Sequence, residues 1–497
     1  MDFKIPISRR DFMKLAGLTA GAFLSSNFES TKKVSAASVE TNLKFDGAKI
    51  PTLLSADVCV CGGGTAGTAA AINAAKNGAK VILIEKGISL GGLQTGGCVY
   101  PCMSSLVNDS DTSYIKEINE RMKLLGYNPT PKLKVVTIRH DDGRGRYPPE
   151  VLVEIYDEMC EEFGVNILYN TTTIGAITEN QKISSCVIQT IEGISKIDAK
   201  IFIDASGDAI LSRFAGIPVE SGSPTTGRDQ PMTFRFEMSG IDEKQVYDFF
   251  NKKLKDERSK LAPPYFVFEK WQYNEKIFQK GVADGELTED DILYIQAFTV
   301  DGKPNTMSMN CPELPPLEFR PTDAISYSKA VTFGRKMMRR LAKFFIKNIP
   351  GFKKATISRE AAMLGVRESW RVVGKYFMTQ DDYFEARKFP DAICRTAYPI
   401  DIHDIKLDIA KRLAQGEFYE IPYRALVTNE IENLAVVGRC ASGNFAAQAS
   451  FRIQPTCMSM GEAAGIAAAY ALKNNIAVND IAWDKIPPNI RSYVSKG

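Results

Sequence analysis

The stretch "DVCVCGGGTAGTAAAINAAKNGAKVILIEK", Asp57 to Lys86, decides how this chain folds. Residues 56–61 form an apolar run that reads as a buried strand, residues 67–77 as a helix, and residues 80–85 as a second strand. Gly62, Gly64 and Gly67 spell G-x-G-x-x-G at the strand-to-helix turn, with Thr65 and Ala66 inside it. The first glycine permits the turn, the second lets a pyrophosphate approach the backbone, and the third brings helix and strand together. A dinucleotide's negative charge is favoured at the helix N-terminus, where N–H groups are unpaired. Glu85 closes the second strand, where a carboxylate accepts hydrogen bonds from ribose hydroxyls.

The rest of the chain sets this unit in context. At 497 residues and 44% hydrophobic, it exceeds one ordinary domain and is expected to form two. Its 62 basic and 59 acidic residues nearly cancel, so no single-sign field argues for nucleic acid. The ten cysteines lack the paired spacings of zinc or iron–sulfur sites, so no metal is expected, and Cys59 and Cys61 read as small apolar residues of the first strand. Near the start, "SRRDFMK" precedes a short apolar stretch, residues 15–26, and small residues at "VSAAS". The stretch is too short to span a bilayer. Residues 1–37 read as a signal peptide cleaved after Ala36 or Ala37, and Arg9 and Arg10 resemble a twin-arginine signal, which implies a twin-arginine translocase as partner and export of a folded protein.

Further signals follow the opening unit. "SLGGLQTGG" supplies a second glycine-rich loop containing Gly91 and Gly92. Residues 148–163 read as a helix, 165–169 as a strand, 173–197 as an antiparallel meander, and "AKIFIDASGDA" as a strand whose short end residues let a loop run against a cofactor. Around Asp301 and Gly302 a hairpin is expected. Near the far end, "NLAVVGRCASGNF" and "RIQPTCMSMGEAAGIAAA" give a strand, the Gly438–Arg439 turn and an alanine-rich helix bearing Gly461 and Gly465 on one face.

Together these segments, with "MLGVRESWRVVGKYFMTQDD", "AYPIDIHD" and "EFYEIPYRALV", resemble the FAD-dependent oxidoreductases related to fumarate-reductase and glutathione-reductase-type flavoproteins. The resemblance implies an α/β fold: a Rossmann-like FAD-binding domain in three ββα layers built from both chain ends (52–220 and 426–480), with an inserted mixed α+β substrate domain at 221–425. It implies that Gly62, Gly64, Thr65, Ala66, Gly67, Glu85, Lys86, Gly91, Gly92, Asp208, Arg439 and Gly461 hold FAD. Cys98 and Cys102 depart from the spacing of the redox disulfide in the glutathione-reductase type. A single G-x-G-x-x-G leaves no separate nicotinamide domain.

Histidine is scarce. In "YPIDIH" a strand reading puts Asp401 and His403 on one face, so that Asp401 orients the imidazole and favours its protonated form; a solvated edge is the plain alternative. His140 lies in a polar, glycine-containing loop that either caps the substrate or is surface. In residues 363–377 an apolar stripe at helical spacing leaves Arg367 and Arg371 four apart, either clamping a small anionic substrate or pairing with Glu360 or Glu368. The expected activity is hydride transfer between flavin N5 and a small organic substrate, with electrons exchanged with a quinone, cytochrome or other envelope carrier of an exported, periplasmic enzyme. A thiol/disulfide oxidoreductase using Cys98 and Cys102, a non-catalytic FAD-binding protein and a nicotinamide dehydrogenase are the alternatives.

Overall fold

Alternation along the first strand separates the layers. The computed structural model describes residues 45–495 except 101, 104, 108–109, 126–146, 252–274, 301, 316–317 and 404–411. Strand β1 (Thr52–Cys61) sends Val58 and Val60 into one apolar cluster with the alanines of helix α1 (Thr65–Lys76). Cys59 and Cys61 enter a second cluster on the opposite face. Period-two side chains on a strand buried on both faces require this division.

Strands β2 (Val81–Ile84) and β3 (Asn166–Leu168) extend the sheet in parallel from β1. Helix α2 (Ser113–Leu124) and helix α3 (Pro149–Phe163) lie between them in sequence; α3 starts on a proline and ends at Gly164, whose φ of +72° closes it. Strands β4 (Thr172–Glu179), β5 (Lys182–Thr190) and β6 (Gly193–Asp204) form the anticipated antiparallel meander. β6 is long enough to serve two neighbours: its first half pairs with β5, while Lys196 to Asp204 run parallel to β1. Ile183, Cys186 and Ile188 of β5 cover the face that carries Cys59 and Cys61.

The chain then leaves this sheet through β7 (Val219–Glu220) and builds a four-stranded antiparallel one in the spatial order 356–360, 236–239, 303–309, 297–300. Its strands are β8 (Phe236–Ser239), β9 (Ala297–Val300), β10 (Lys303–Met309) and β11 (Thr356–Glu360), and β9 with β10 is the expected hairpin. Helix α4 (Ala324–Asn348) packs Met337, Met338, Leu341 and Phe345 against Phe236, Met238, Met307 and Met309 of this sheet in a separate apolar cluster. Asp323 caps the helix by accepting from Ser326 N at 2.6 Å.

Two short pairs follow, β12 (Arg371–Val372) with β7 and β13 (Ala392–Thr396) with β14 (Tyr419–Pro422). The chain then returns to the first sheet: β15 (Leu434–Val436) lies parallel to β6 with Leu434 opposite Phe202 and Val436 opposite Asp204. Both ends of the described chain therefore share one sheet. After β15 come helix α5 (Phe445–Phe451) and helix α6 (Gln454–Asn474). Among the described residues, no helix is long and apolar enough to cross a membrane.

Two local expectations are corrected. Residues 363–377 are not helical: apart from β12 they are irregular, and their apolar side chains meet several different neighbours instead of one helix groove. Residues 398–403 are not a strand either. Their position is set by α5, since Ser450 Oγ donates to Tyr398 O and Arg452 Nη2 to Asp401 O.

Candidate active site

The glycines of the first turn serve three different contacts. Gly62 has φ +108°, and a Cβ there would lie 2.6 Å from Ala205 O, so the turn requires both its conformational freedom and its bareness. At Gly67 a Cβ would fall 1.7 Å from Gly62 O, which binds helix start to strand end. Gly64 is different, because a Cβ there would meet nothing within 4 Å. The space beside it lies at the N-terminus of α1, whose first turn holds no acidic residue and no side-chain cap. N–H groups without intrahelical partners and the helix dipole would suit a phosphate here. Glu85 is buried at the end of β2, its carboxylate accepting from Gly63 N at 2.8 Å and Gly87 N at 2.6 Å.

The second glycine-rich loop is bound to the first. Gly91 N donates to Gly63 O at 2.8 Å, Thr65 Oγ1 lies 3.4 Å from Gly91 O, and Gly92 sits against Gly64 Cα. Gln454, at the start of α6, fixes the same loop by donating to Val99 O at 2.6 Å and accepting from Gln94 Nε2 at 3.1 Å. The first turn of α6 also lacks an acidic residue and a side-chain cap, and Thr456 Oγ1 there is buried without a partner among the described residues. Asp208 accepts from Ser369 Oγ at 2.6 Å and Arg439 Nη2 at 2.7 Å, and Arg439 Nη1 is left without a partner. Burial raises the Asp208 carboxyl, but Arg439, Ser369 and Lys86 outweigh it and hold its pKa below the ordinary value. An open space beside Gly64, a buried carboxylate at the end of β2 and these orphaned donors would suit FAD.

Gly461 has another job. A Cβ on it would lie 2.0 Å from Ala66 O, and one on Gly465 would lie 2.4 Å from Ala70 O, so both glycines let α6 cross α1 at backbone contact. Gly461 and Ala66 therefore hold the helices that present the space beside Gly64.

His403 stands at the centre of a half-buried chain of charges. Its Nδ1 lies 2.9 Å from Glu313 Oε2 and its Nε2 3.4 Å from Asp401 Oδ1. Beyond them, Arg367 Nη2 approaches Glu313 at 3.1 Å and Arg452 Nη2 approaches Asp401 at 2.9 Å. Tyr294 packs edge-on against the imidazole with ring centroids 5.1 Å apart. Burial and Arg367 push His403 toward the neutral form, but the Asp401 and Glu313 carboxylates prevail and raise its pKa above 6.5. Burial opposes ionisation of Asp401 and Glu313, yet His403 and the arginines hold both below ordinary carboxylate values. The cluster therefore favours the protonated imidazole between two carboxylates, a group able to hand over or take back a proton.

Asp401, His403 and Arg367 are thus brought together, and Arg371 is not. Arg371 is buried, its Nε donates to Gly443 O at 3.0 Å, and its Nη1 pairs with Glu368, an internal brace between irregular segments. The sequence-expected pairing of Arg371 with Glu368 is the one found. His140 lies outside the described residues. Glu313 was not legible, because only the fold sets it opposite Thr233 and beside His403; Arg452 gains its role by closing α5 above Asp401.

Cys98 is fully buried, and desolvation pushes its thiol up to about 11, which disfavours the thiolate that disulfide exchange needs. Among the described residues, the sulfurs of Cys59, Cys61 and Cys186 lie within 4.8 Å of one another, with Cys61 and Cys186 3.6 Å apart. They occupy the apolar layer between β1 and β5.

Comparison with known proteins follows from this geometry. A flavin-dependent brominase, Bmp2, is 13% identical with TM-score 0.46, covering 87% of this chain and 81% of that one. A flavoprotein/dehydrogenase from Cytophaga hutchinsonii is 14% identical with TM-score 0.42, covering 87% and 81%. L-Proline dehydrogenase from P. horikoshii is 15% identical with TM-score 0.41, covering 88% and 97%. No match to a curated protein sequence was found. The model of the FAD dependent oxidoreductase family matches residues 57–490, and the chain belongs to that family.

Proposed function

We propose that this FAD-dependent oxidoreductase moves a hydride between flavin N5 and a small organic, anionic substrate, and that His403 handles the accompanying proton. FAD supplies the hydride donor and acceptor; the protein supplies position, charge and a proton. The observation that carries this reading is the imidazole of His403 set between the carboxylates of Asp401 and Glu313. Nδ1 has the closer carboxylate, at 2.9 Å, so Nε2, 3.4 Å from Asp401, is the atom assigned to proton transfer. In the reducing direction a hydride and the Nε2 proton add across the substrate's double bond; in the oxidising direction both leave. Arg367 supports binding of negative charge beside this proton, and Arg452 keeps Asp401 in place. The buried thiol of Cys98 supports this reading over thiol/disulfide exchange.

The leader carrying Arg9 and Arg10 supports export through the twin-arginine route, with a quinone, cytochrome or other envelope carrier completing the electron path. Replacing both arginines by lysine is expected to leave the protein in the cytoplasmic fraction. The reaction itself is tested by photoreducing the purified holoenzyme and screening organic acceptors without oxygen. Saturable reoxidation by a carbonyl or alkene acid is expected, and reoxidation by small dithiols or disulfides alone would overturn the reading.

A further inference from the structure

Arg235 is a buried cation that the cluster above leaves unexplained. It directly precedes β8, is 5% exposed, and its Nη2 donates only to neutral oxygens, Tyr100 O at 3.4 Å and Ser308 Oγ at 3.1 Å. Its Nε has no partner, and no carboxylate lies within ion-pair distance among the described residues. Glu237, two residues further on, is engaged by Lys303 at 3.3 Å, by Arg359 at 3.8 Å and by the Tyr100 hydroxyl. Burial first, and the like charge of Arg367 after it, push the Arg235 guanidinium down to about 10, which leaves it charged at neutral pH. A charge taken out of water without a counter-ion is strongly unfavourable unless a ligand provides one.

The surroundings locate that ligand. Arg235 O accepts from Ala361 N, and Thr233, two residues earlier, bridges Gly365 and Glu313, so the backbone of Arg235 runs beside the segments that carry Arg367 and Glu313. Its side chain reaches under the Gly91–Tyr100 loop, since Ser308, which it contacts, lies 3.4 Å from Cys98 O. Tyr294, the ring against His403, and Arg367 are both among its electrostatic neighbours. In this connected region, among the described residues, the guanidiniums of Arg235, Arg367 and Arg452 and the imidazole of His403 have between them as ion-pair partners the carboxylates Glu313 and Asp401. Three guanidiniums against two carboxylates leave positive charge in excess.

We propose that Arg235 and Arg367 together bind the carboxylate of the substrate, so that the substrate class is a carboxylic acid whose reacting carbon is held next to His403. This rests on the hydride-transfer reading and adds the group by which the substrate is recognised. A reduced flavin is also an anion, so the experiment separates the two sources.

Oxidised holoenzyme is titrated with oxalate, malonate and succinate, and with the corresponding diamides, while the visible flavin spectrum is followed. The same titrations and the flavin midpoint potential are recorded for Arg235→Gln and Arg235→Lys. A saturable perturbation by at least one dicarboxylate, but by no diamide, is expected in the wild type. Roughly 10- to 100-fold weaker binding is expected in Arg235→Gln, with partial retention in Arg235→Lys and little change in potential, since a charged hydrogen-bonded contact is being removed. Equal response to acids and diamides, no response to any acid, or unchanged affinity in Arg235→Gln overturns the proposal. A potential that falls while acid affinity holds assigns Arg235 to the flavin and also overturns it. Should Arg235→Gln not fold, the wild-type comparison of acids with diamides and the Arg235→Lys affinity decide. Flavin content and acceptor-driven reoxidation are separate readouts, so failure here leaves the hydride-transfer reading standing or falling on its own test.

Discussion

At the scale of single residues, His403 and its two carboxylates make the chemistry dependent on pH in a definite direction. Because its folded pKa is raised, the stability it contributes is fully present below about 6.5, its unfolded value, and is lost as pH rises through the higher folded one. Denaturant midpoints measured from pH 5 to 9 are expected to show this alkaline loss, and His403→Gln to lack it. Asp401 and Glu313 behave oppositely: their depressed values contribute stability above the ordinary carboxylate range that disappears as the solution is acidified. Asp401→Asn removes one of the charges that favour the imidazolium. The alkaline limb of the reductive rate should then move to lower pH by about one unit, or ~1.4 kcal/mol, with the flavin still bound; an unmoved limb would assign the titration to another group. Asp401 and His403 do meet, though not through the strand from which their pairing is read, since residues 398–403 are irregular and Arg452 and Glu313 flank the pair. Glu313 and Arg235 were not legible, because neither has a local pattern and both acquire their neighbours through contacts distant in sequence.

At the scale of elements, the first turn and the crossing of α1 with α6 separate binding from packing. Gly64→Ala puts a methyl where no protein atom lies within 4 Å, so the apoprotein should melt within a few degrees of wild type while FAD dissociates more readily. Gly461→Ala puts one 2.0 Å from Ala66 O, and helix separation is expected to cost about 1–3 kcal/mol or more. Calorimetry of the apoproteins with flavin dissociation constants distinguishes the pair, and equal losses of stability would contradict the assignment. These elements were legible because their signals are local: period-two apolar residues in β1, a proline in the first turn of α3, and glycines spaced for one turn. The apolar spacing of residues 363–377 mimicked a helix for an equally physical reason. Trp370 and Val372 pack against the sheet face, whereas Leu364 and Val366 join the cluster under α4, so the periodicity reports two separate burials.

At the scale of the whole molecule, β1 and β15 bring distant parts of the chain to either side of β6, and the loops at their ends hold Gly64 and Arg439. A ligand that binds only this assembled arrangement stabilises it by about 2.7 kcal/mol at a hundredfold excess over its dissociation constant. Removing FAD should therefore lower the melting temperature, and restoring it should raise it in proportion to the logarithm of concentration. The family and its coenzyme were within reach of sequence because motifs at both ends carry them, while the proton-handling cluster depends on how the intervening chain returns. The most direct measurement compares anaerobic reoxidation of photoreduced wild-type enzyme and His403→Gln by an acceptor active with the wild type, at matched flavin content. A rate lower by about 10²–10⁴-fold in the variant is expected for loss of a general acid, and equal rates would contradict the assignment of the proton to His403.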